Sequence, residues 1–411
     1  MWVGAFASNI GTWMETVGLG IFVERTTGQA AWVGLVAAAG FVPSAVVGPF
    51  GGALADRLPR KALLVGSNTV AAALAIVLTI TIATDVATAP LVAAIALVNG
   101  CIGAVGFPAF MAILPELVPE DELAGALALS SAQYNLGRII GPVLAGLVIG
   151  FGGYEWAFAL NAASFVAPVL AILPLTIPTP VANRDTSMLR SIREGLSFVR
   201  HEPGIRSVIG YFALNSFLAA PFIALIPSFA TLLTDREDLG TSVLVTGQGV
   251  GAVLMALSLN ALMRKLGARD LYRAVVLALP LALIAYAGSP NLVFGAITII
   301  AVGAVYLGGL STFNTITQLR TPAALRGRVL STNMIILGSL YPLGSVVQGW
   351  VGDQVGLRAT TMGAAALLFV VSVLTGAASR RFGAPLVSTS ITGSTLDAAA
   401  PPPGAMPSGA D

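Results

Sequence analysis

The sequence predicts an all-α membrane protein of about twelve spanning helices in two pseudo-symmetric six-helix bundles. Three observations predict it. First, 56% of the 411 residues are hydrophobic, only 10% are charged and the mean hydropathy is +0.88, whereas a water-soluble globule carries about 25% charged residues. Second, the apolar residues fall in runs of bilayer length. Third, the basic residues gather on one side of those runs, and a shift of 208 positions (54 to 262) lays the first half over the second.

The runs can be taken in order. Met1 to Val23 is interrupted only by Glu15 and lacks the basic lead and small-residue cleavage site of a signal peptide, so it reads as a retained first helix. Trp32 to Leu54 and Ala62 to Thr84 hold no charge, and each meets the requirement of about 20 apolar residues for a spanning helix. Pro90 to Leu114, Leu123 to Ile149 and Trp156 to Ile177 complete the first bundle, residues 1–178. A polar linker, 179–204, leads to Ile205 to Leu233, Thr241 to Met263, Leu271 to Ala287, Leu292 to Ile316, Val329 to Val351 and Leu357 to Ala378, the second bundle within 205–382. Residues 383–411, rich in Pro, Gly, Ser, Thr and Ala, read as a disordered cytoplasmic tail.

Lysine and arginine set the orientation. Of 21 in all, Arg25, Arg236 and Arg358 fall on one side and Arg138 lies within a helix; the other 17 fall on the opposite side. The positive-inside rule therefore puts both termini in the cytoplasm. One inner loop, with Glu116, Glu120, Asp121 and Glu122, is acidic, but acidic residues weigh little in topology.

The repeat places Leu54, Arg57, Leu58, Lys61 and Leu63 over Leu262, Lys265, Leu266, Arg269 and Leu271, with Asp56 opposite Arg264. Pro119, Leu123 and Gly125 find a weaker echo in Pro322, Leu325 and Gly327. Composition also excludes functions. Cys101 is the only cysteine and His201 the only histidine, which rules out a disulfide framework and a cysteine/histidine metal cluster. No Gly-rich phosphate loop with its lysine occurs. A membrane-embedded enzyme would need a nucleophile or metal constellation that the runs do not offer, and the net charge of +2 does not argue for nucleic acid.

The short charged elbow between the second and third runs, Gly52 to Lys61, carries the strongest motif. Gly52 is expected to let a neighbouring helix approach, and Pro59 to occupy the first turn of the next helix. Gly52, Asp56, Arg57, Arg60 and Lys61 match in spacing the signature of the major facilitator superfamily, with Pro59 where that family usually has Gly. The resemblance implies that these five residues form a cytoplasmic conformational latch, in which Asp56 engages the start of the eleventh helix, near Leu325 to Val329.

On the fifth run, Gly137, Gly141, Pro142 and Gly146 combine small residues for close packing with a bend. They resemble the antiporter motif of superfamily exporters, with Ala145 replacing one Gly. With Trp2, Gly4, Gly11, Thr12, Trp13, Met14 and Glu15, the chain is similar over residues 1 to about 382 to the branch containing the enterobactin exporter. That resemblance implies export of a small organic molecule.

Glu15 and Arg138 lie well inside helices, where a charge costs at least ~2.5–3.5 kcal/mol on insertion scales, so each must face a cavity or a partner. They are the proton-coupling candidates, or alternatively a permanent ion pair that fixes packing. Substrate-cavity candidates are Asn9 and Trp13, in register with Thr12 and Thr16 on the first helix; Asn99, with Phe107, on the fourth; Gln133, Tyr134 and Asn135 on the fifth; Tyr211 and Asn215 on the seventh; and Tyr306 and Asn314, with Gln318, on the tenth. A mostly apolar cavity with a few polar anchors suits amphipathic solutes. The expectation is a monomeric, multi-pass inner-membrane exporter of small amphipathic molecules, without cofactor and driven by the proton motive force. An importer, a lysophospholipid translocator and a non-transporting membrane sensor are the alternatives.

Overall fold

The computed structural model describes residues 1–55, 57–175, 196–322 and 325–375. Asp56, most of the linker and the tail lie outside the described residues. Every expected run has helix beneath it. In chain order these are α1 (Trp2–Thr27), α2 (Ala30–Val46), α3 (Gly48–Ala55), α4 (Arg60–Ala83), α5 (Ala89–Leu117), α6 (Leu123–Gly152), α7 (Tyr154–Ser164), α8 (Val166–Ile172), α9 (Pro203–Leu218), α10 (Ile226–Thr231), α11 (Glu237–Ala287), α12 (Leu292–Arg320), α13 (Arg326–Val355) and α14 (Leu357–Leu374).

Nine helices among the described residues are long and apolar enough to cross a membrane. The expected runs and the helices correspond unevenly, for local reasons. The second run is divided at Val47 into α2 and α3, with Pro43 inside α2, and the sixth is divided at Phe165 into α7 and α8. The eighth and ninth runs lie in one 51-residue element, α11, that turns at Gly267 with φ 77° and ψ 156°. Only a residue without Cβ adopts that conformation cheaply. Gly28 closes α1 in the same way, with φ 60° and its N–H returned to the carbonyl of Glu24. The Asn291 side chain caps α12 by accepting from the Phe294 N–H at 3.2 Å.

Helices in lipid associate through close backbone approach, because apolar side chains gain nothing by leaving lipid for protein. Glycines supply that approach. A Cβ at Gly51 would lie 2.9 Å from Val105 Cα and one at Gly100 3.0 Å from the carbonyl carbon of Gly40, so α3 and α2 ride on α5. Gly251 and Gly303 do the same between α11 and α12. Gly52, expected to be the point of close approach in the elbow, has nothing within 4 Å of such a Cβ; Gly51, one residue earlier, has that role. Pro59 stands just ahead of α4, at its N-cap, rather than inside it.

Leu78, Val92 and Phe158 centre the core of the first half, and Phe222, Phe229, Leu283, Tyr286 and Ile299 that of the second. Val70, Ile76, Val77 and Ile80 of α4 face outward and are about half exposed, as expected where the solvent is hydrocarbon. The halves meet along two helix pairs. Gly34, Gly338 and Gly349 bring α2 against α13 at Ser345, Ala45 and Ala30, while Gly146 and Gly249 bring α6 against α11 at Ser242 and Ile139.

Hydrogen bonds show which helix ends share a face. Lys61 donates to the carbonyls of Leu173 (2.5 Å) and Leu175 (2.9 Å), and Arg320 pairs with Glu202; these ends form the basic face. Arg358 donates to the carbonyls of Ala287 (3.0 Å), Ser289 (2.5 Å) and Leu232 (3.3 Å) on the opposite face.

Candidate functional site

The two intramembrane charges lie on helices that pack directly on each other. A Cβ at Gly137 of α6 would sit 3.1 Å from the Asn9 Cβ, and one at Gly141 2.6 Å from the Trp13 Cβ. These glycines press α6 onto α1 along the face that carries Asn9 and Trp13. One turn on, Gly146 meets Ser242 of α11, so the same run of small residues also closes the first half onto the second; Pro142 is buried within it.

Arg138 projects into that junction. Its Nη2 donates to Gln248 Oε1 of α11 at 2.6 Å, and its guanidinium carbon stands 5.6 Å from the centroid of the Trp13 ring. Tyr134 meets Trp13 edge-on at 5.9 Å, and Tyr341 of α13 meets Phe41 of α2 edge-on at 5.1 Å. Among the described residues, Tyr134, Tyr306 and Tyr341, from both halves, act on Arg138 electrostatically. The arrangement is a cation in an aromatic-walled junction, bonded across it to a neutral amide.

Glu15 does not share that junction. It is 5% exposed and accepts from Asn161 Nδ2 (2.5 Å) on α7 and from Asn99 Nδ2 (3.2 Å) on α5. The Glu15–Arg138 ion pair weighed from the sequence is therefore absent, and the geometry of α1 explains why. Residues advance about 100° each around a helix, so Glu15 lies about 200° round from Trp13. Trp13 faces α6, and Glu15 faces the interior of its own bundle.

The remaining candidates divide. Asn99 is held by Glu15, Asn135 returns its amide to the Ser131 carbonyl (2.8 Å), and Thr12 and Thr16 bond back to Ser8 and Thr12. Gln133 is buried with Oε1 unsatisfied. Tyr211, Asn215 and Tyr306 come together inside the second half around a void of about 20 Å³, room for about one water, with Asn215 Oδ1 unsatisfied and the Tyr211 hydroxyl on the Val276 carbonyl at 3.2 Å. Asn314, Gln318 and Phe107 are exposed, away from this group.

In the elbow, Arg60 donates to the carbonyls of Ala55 (3.1 Å) and Ala112 (3.2 Å) and pairs with Glu116. Arg57 is exposed, its backbone N–H on the Leu54 carbonyl. Sequence reasoning missed Gln248, Asn161 and the carboxylates of Glu24 and Asp353. Gln248 did leave a signal, a lone amide in the glycine run Gly247 to Gly251.

Residues 1–388 match the family model of the transmembrane secretion effectors, a branch of the major facilitator superfamily. The chain belongs to that family. Macrolide efflux protein A of Streptococcus pyogenes is 23% identical over 385 residues, covering 91% of this chain and 94% of the relative. The multidrug efflux pump Tap of Mycolicibacterium fortuitum is 26% identical over 381 residues (90% and 92%), and the staphyloferrin A transporter of Staphylococcus aureus 26% over 372 (87% and 89%). Among solved structures, a nucleoside transporter, the NupG D323A mutant, superposes with a TM-score of 0.76 at 16% identity, covering 92% of this chain and 98% of that one. A D-xylose–proton symporter gives 0.70 at 13% identity, over 91% and 96%. This chain is thus a multi-pass major facilitator transporter and not an enzyme.

Proposed function

We propose that this transporter is a proton-coupled exporter of small amphipathic organic molecules, working by alternating access in the bacterial inner membrane as a monomer, with both termini cytoplasmic and no cofactor. The observation that carries the reading is the Arg138–Gln248 hydrogen bond, which joins the halves across an aromatic-walled junction in mid-span. Such a junction offers apolar contact, a few polar anchors and a seam that opens when the halves rock. The relatives' names, efflux proteins for macrolides and multiple drugs among them, support the outward direction.

Within this reading Glu15 is the coupling group. Two amide N–H donors hold its carboxylate. A proton taken up there turns one acceptor into a donor with no acceptor facing it, loosening α1 from α5 and α7. Asp56 is the latch carboxylate and engages the start of α13 near Leu325 to Val329 when the basic face is closed. Asp56→Asn is expected to reach the membrane in normal amount and transport severalfold more slowly.

The test uses acid-loaded inverted vesicles containing the full chain, with a lumenal pH dye, and erythromycin, ethidium and a siderophore added in turn. Export coupled to protons alkalinises the lumen on addition of a cargo, and Glu15→Gln abolishes that signal while retaining cargo binding. Uptake confined to right-side-out vesicles would overturn the direction; cargo movement with no proton signal in either protein would overturn the coupling.

A further inference from the structure

Arg138 is a cation without an anion. A guanidinium carries five N–H donors, and the described contacts use one of them, Nη2 to the neutral Gln248 amide. Its Nε is buried with no partner, and among the described residues no carboxylate lies within ion-pair distance of it. The other charge buried in mid-span, Glu15, is turned into the first bundle and held by Asn99 and Asn161. A cation–π contact with Trp13 offsets part of the expense of keeping this half-buried charge in mid-membrane, yet its buried Nε stays unpaired and its charge uncompensated, which is unfavourable there. The junction therefore gains most from a ligand that brings the missing negative charge.

We propose that Arg138 is the cargo anchor and that the cargo is an organic carboxylate borne on an aromatic or apolar body. The inference rests on reading the junction between the halves as the cargo site. A carboxylate meets the guanidinium fork with two parallel hydrogen bonds, the geometry for which arginine is better suited than lysine. Trp13, under the guanidinium, and Tyr134, edge-on to it, supply the apolar wall, and the Tyr134 hydroxyl is a further donor for an anion. Gln248 is the internal placeholder: its neutral oxygen satisfies one donor and yields to a charged acceptor, which binds more strongly. Because Gln248 lies on the second half and Arg138 on the first, cargo that takes the guanidinium from Gln248 also severs a bond between the halves.

Isothermal titration of the purified full chain in nanodiscs tests this with three probes of similar body: naphthoate, its methyl ester and naphthylmethylamine. Naphthoate is expected to bind at least about tenfold more tightly than the ester or the amine, as one lost charge-assisted pair implies. Arg138→Gln should remove that preference and Arg138→Lys should keep part of it. Gln248→Glu supplies an internal carboxylate to the same guanidinium, so it should also weaken naphthoate by about tenfold or more while leaving a monodisperse, thermally stable protein. That variant keeps the test decisive if Arg138→Gln misfolds. Naphthoate binding no tighter than the ester, or unmoved by Gln248→Glu, overturns the proposal. Proteoliposome flux of the same probes separates the two readings. Arg138-dependent binding without flux upholds the anchor and removes the exporter; flux of ester and naphthoate alike, indifferent to Arg138, upholds a transporter and removes the anchor.

Discussion

The two faces of this transporter differ in whether described polar contacts join the halves. On the face away from the basic loops, Arg358 is bonded within the second half, but other contacts cross between halves: Asp353 at the end of α13 accepts from the backbone N–H groups of Ala30 (2.7 Å) and Ala31 (3.0 Å) at the start of α2, and Ser228 of α10 donates to Glu24 of α1 at 2.5 Å. On the basic face, the described contacts stay within a half: Arg60 with Glu116, Lys61 with the end of α8, and Arg320 with Glu202. The difference separates what must break from what travels. Asp353 is exposed, so water takes over its carboxylate when α2 moves away. The Arg60 and Arg320 side chains are only 14% and 8% exposed, and their pairs are costly to break. Among the described residues, the basic-face ties thus travel with their own half, and the opposite face holds releasable ties between the halves.

The largest expected effect comes from blocking that face. A Cβ at Gly34 would fall 2.8 Å from the carbonyl carbon of Ser345, a backbone group that cannot step aside. Overpacking of this kind costs about 1–3 kcal/mol, and Gly34→Leu is expected to cut flux about tenfold or more by holding α2 off α13. In a Cys101→Ala background, a cysteine at the fully buried Ser345 should become readily labelled. Unchanged flux would mean that the α2–α13 contact is not part of closure.

Next is the contrasting substitution on the basic face. Arg60→Ala removes bonds to Ala55, Ala112 and Glu116 together. Hydrogen bonds to charged groups contribute about 1.5–3 kcal/mol each in net terms, so the melting temperature should fall clearly. Labelling at position 345 should stay as in the parent. If accessibility rises as well, the basic-face contacts are gates rather than internal braces, and the contrast between the faces fails.

Asp353→Ala should do the reverse. A lost helix cap costs about 0.5–2 kcal/mol, equivalent to an about 2- to 30-fold shift towards the state open on that face. Labelling at 345 should rise by that order with little change in melting temperature. Asp353→Asn, which keeps an acceptor oxygen, should lie between. A stability loss without a labelling change would make Asp353 an ordinary cap.

The sequence made the helices readable and left their facing largely hidden. Runs such as Ala62 to Thr84 hold no charge over a bilayer's length, which in water would be untenable, so the spans announce themselves. The break inside α11 was also marked, by the second basic elbow at Lys265 to Arg269. Which way a polar side chain points depends on helix rotation, and that is set by packing partners far along the chain. Hence Trp13, named for the cavity, meets Arg138, which was named with Glu15 for proton coupling, whereas Asn99, also named for the cavity, holds Glu15. Asn161 and Gln248 were passed over because a single amide in an apolar helix reads the same whether it faces lipid, a neighbour or a charge. Gly52 and Gly51 differ by one residue, or about 100° of rotation, and only the structure distinguishes the one in contact.

The smallest effect gives the most sensitive check on the contrast. Lys61 Nζ sits on the carbonyls of Leu173 and Leu175, where α8 ends with its unpaired acceptors and partial negative charge. A cation there contributes about 0.3–1 kcal/mol. Lys61→Met keeps the aliphatic stem, loses the ammonium and should lower the melting temperature slightly. Because both partners belong to the first half, flux and labelling at position 345 should match the parent. A marked flux defect from so weak a local contact would mean that Lys61 finds a partner in the second half when the basic face closes. Its bond to α8 would then be the released position of a tie, and the basic face would carry the same kind of breakable contact now seen at Asp353.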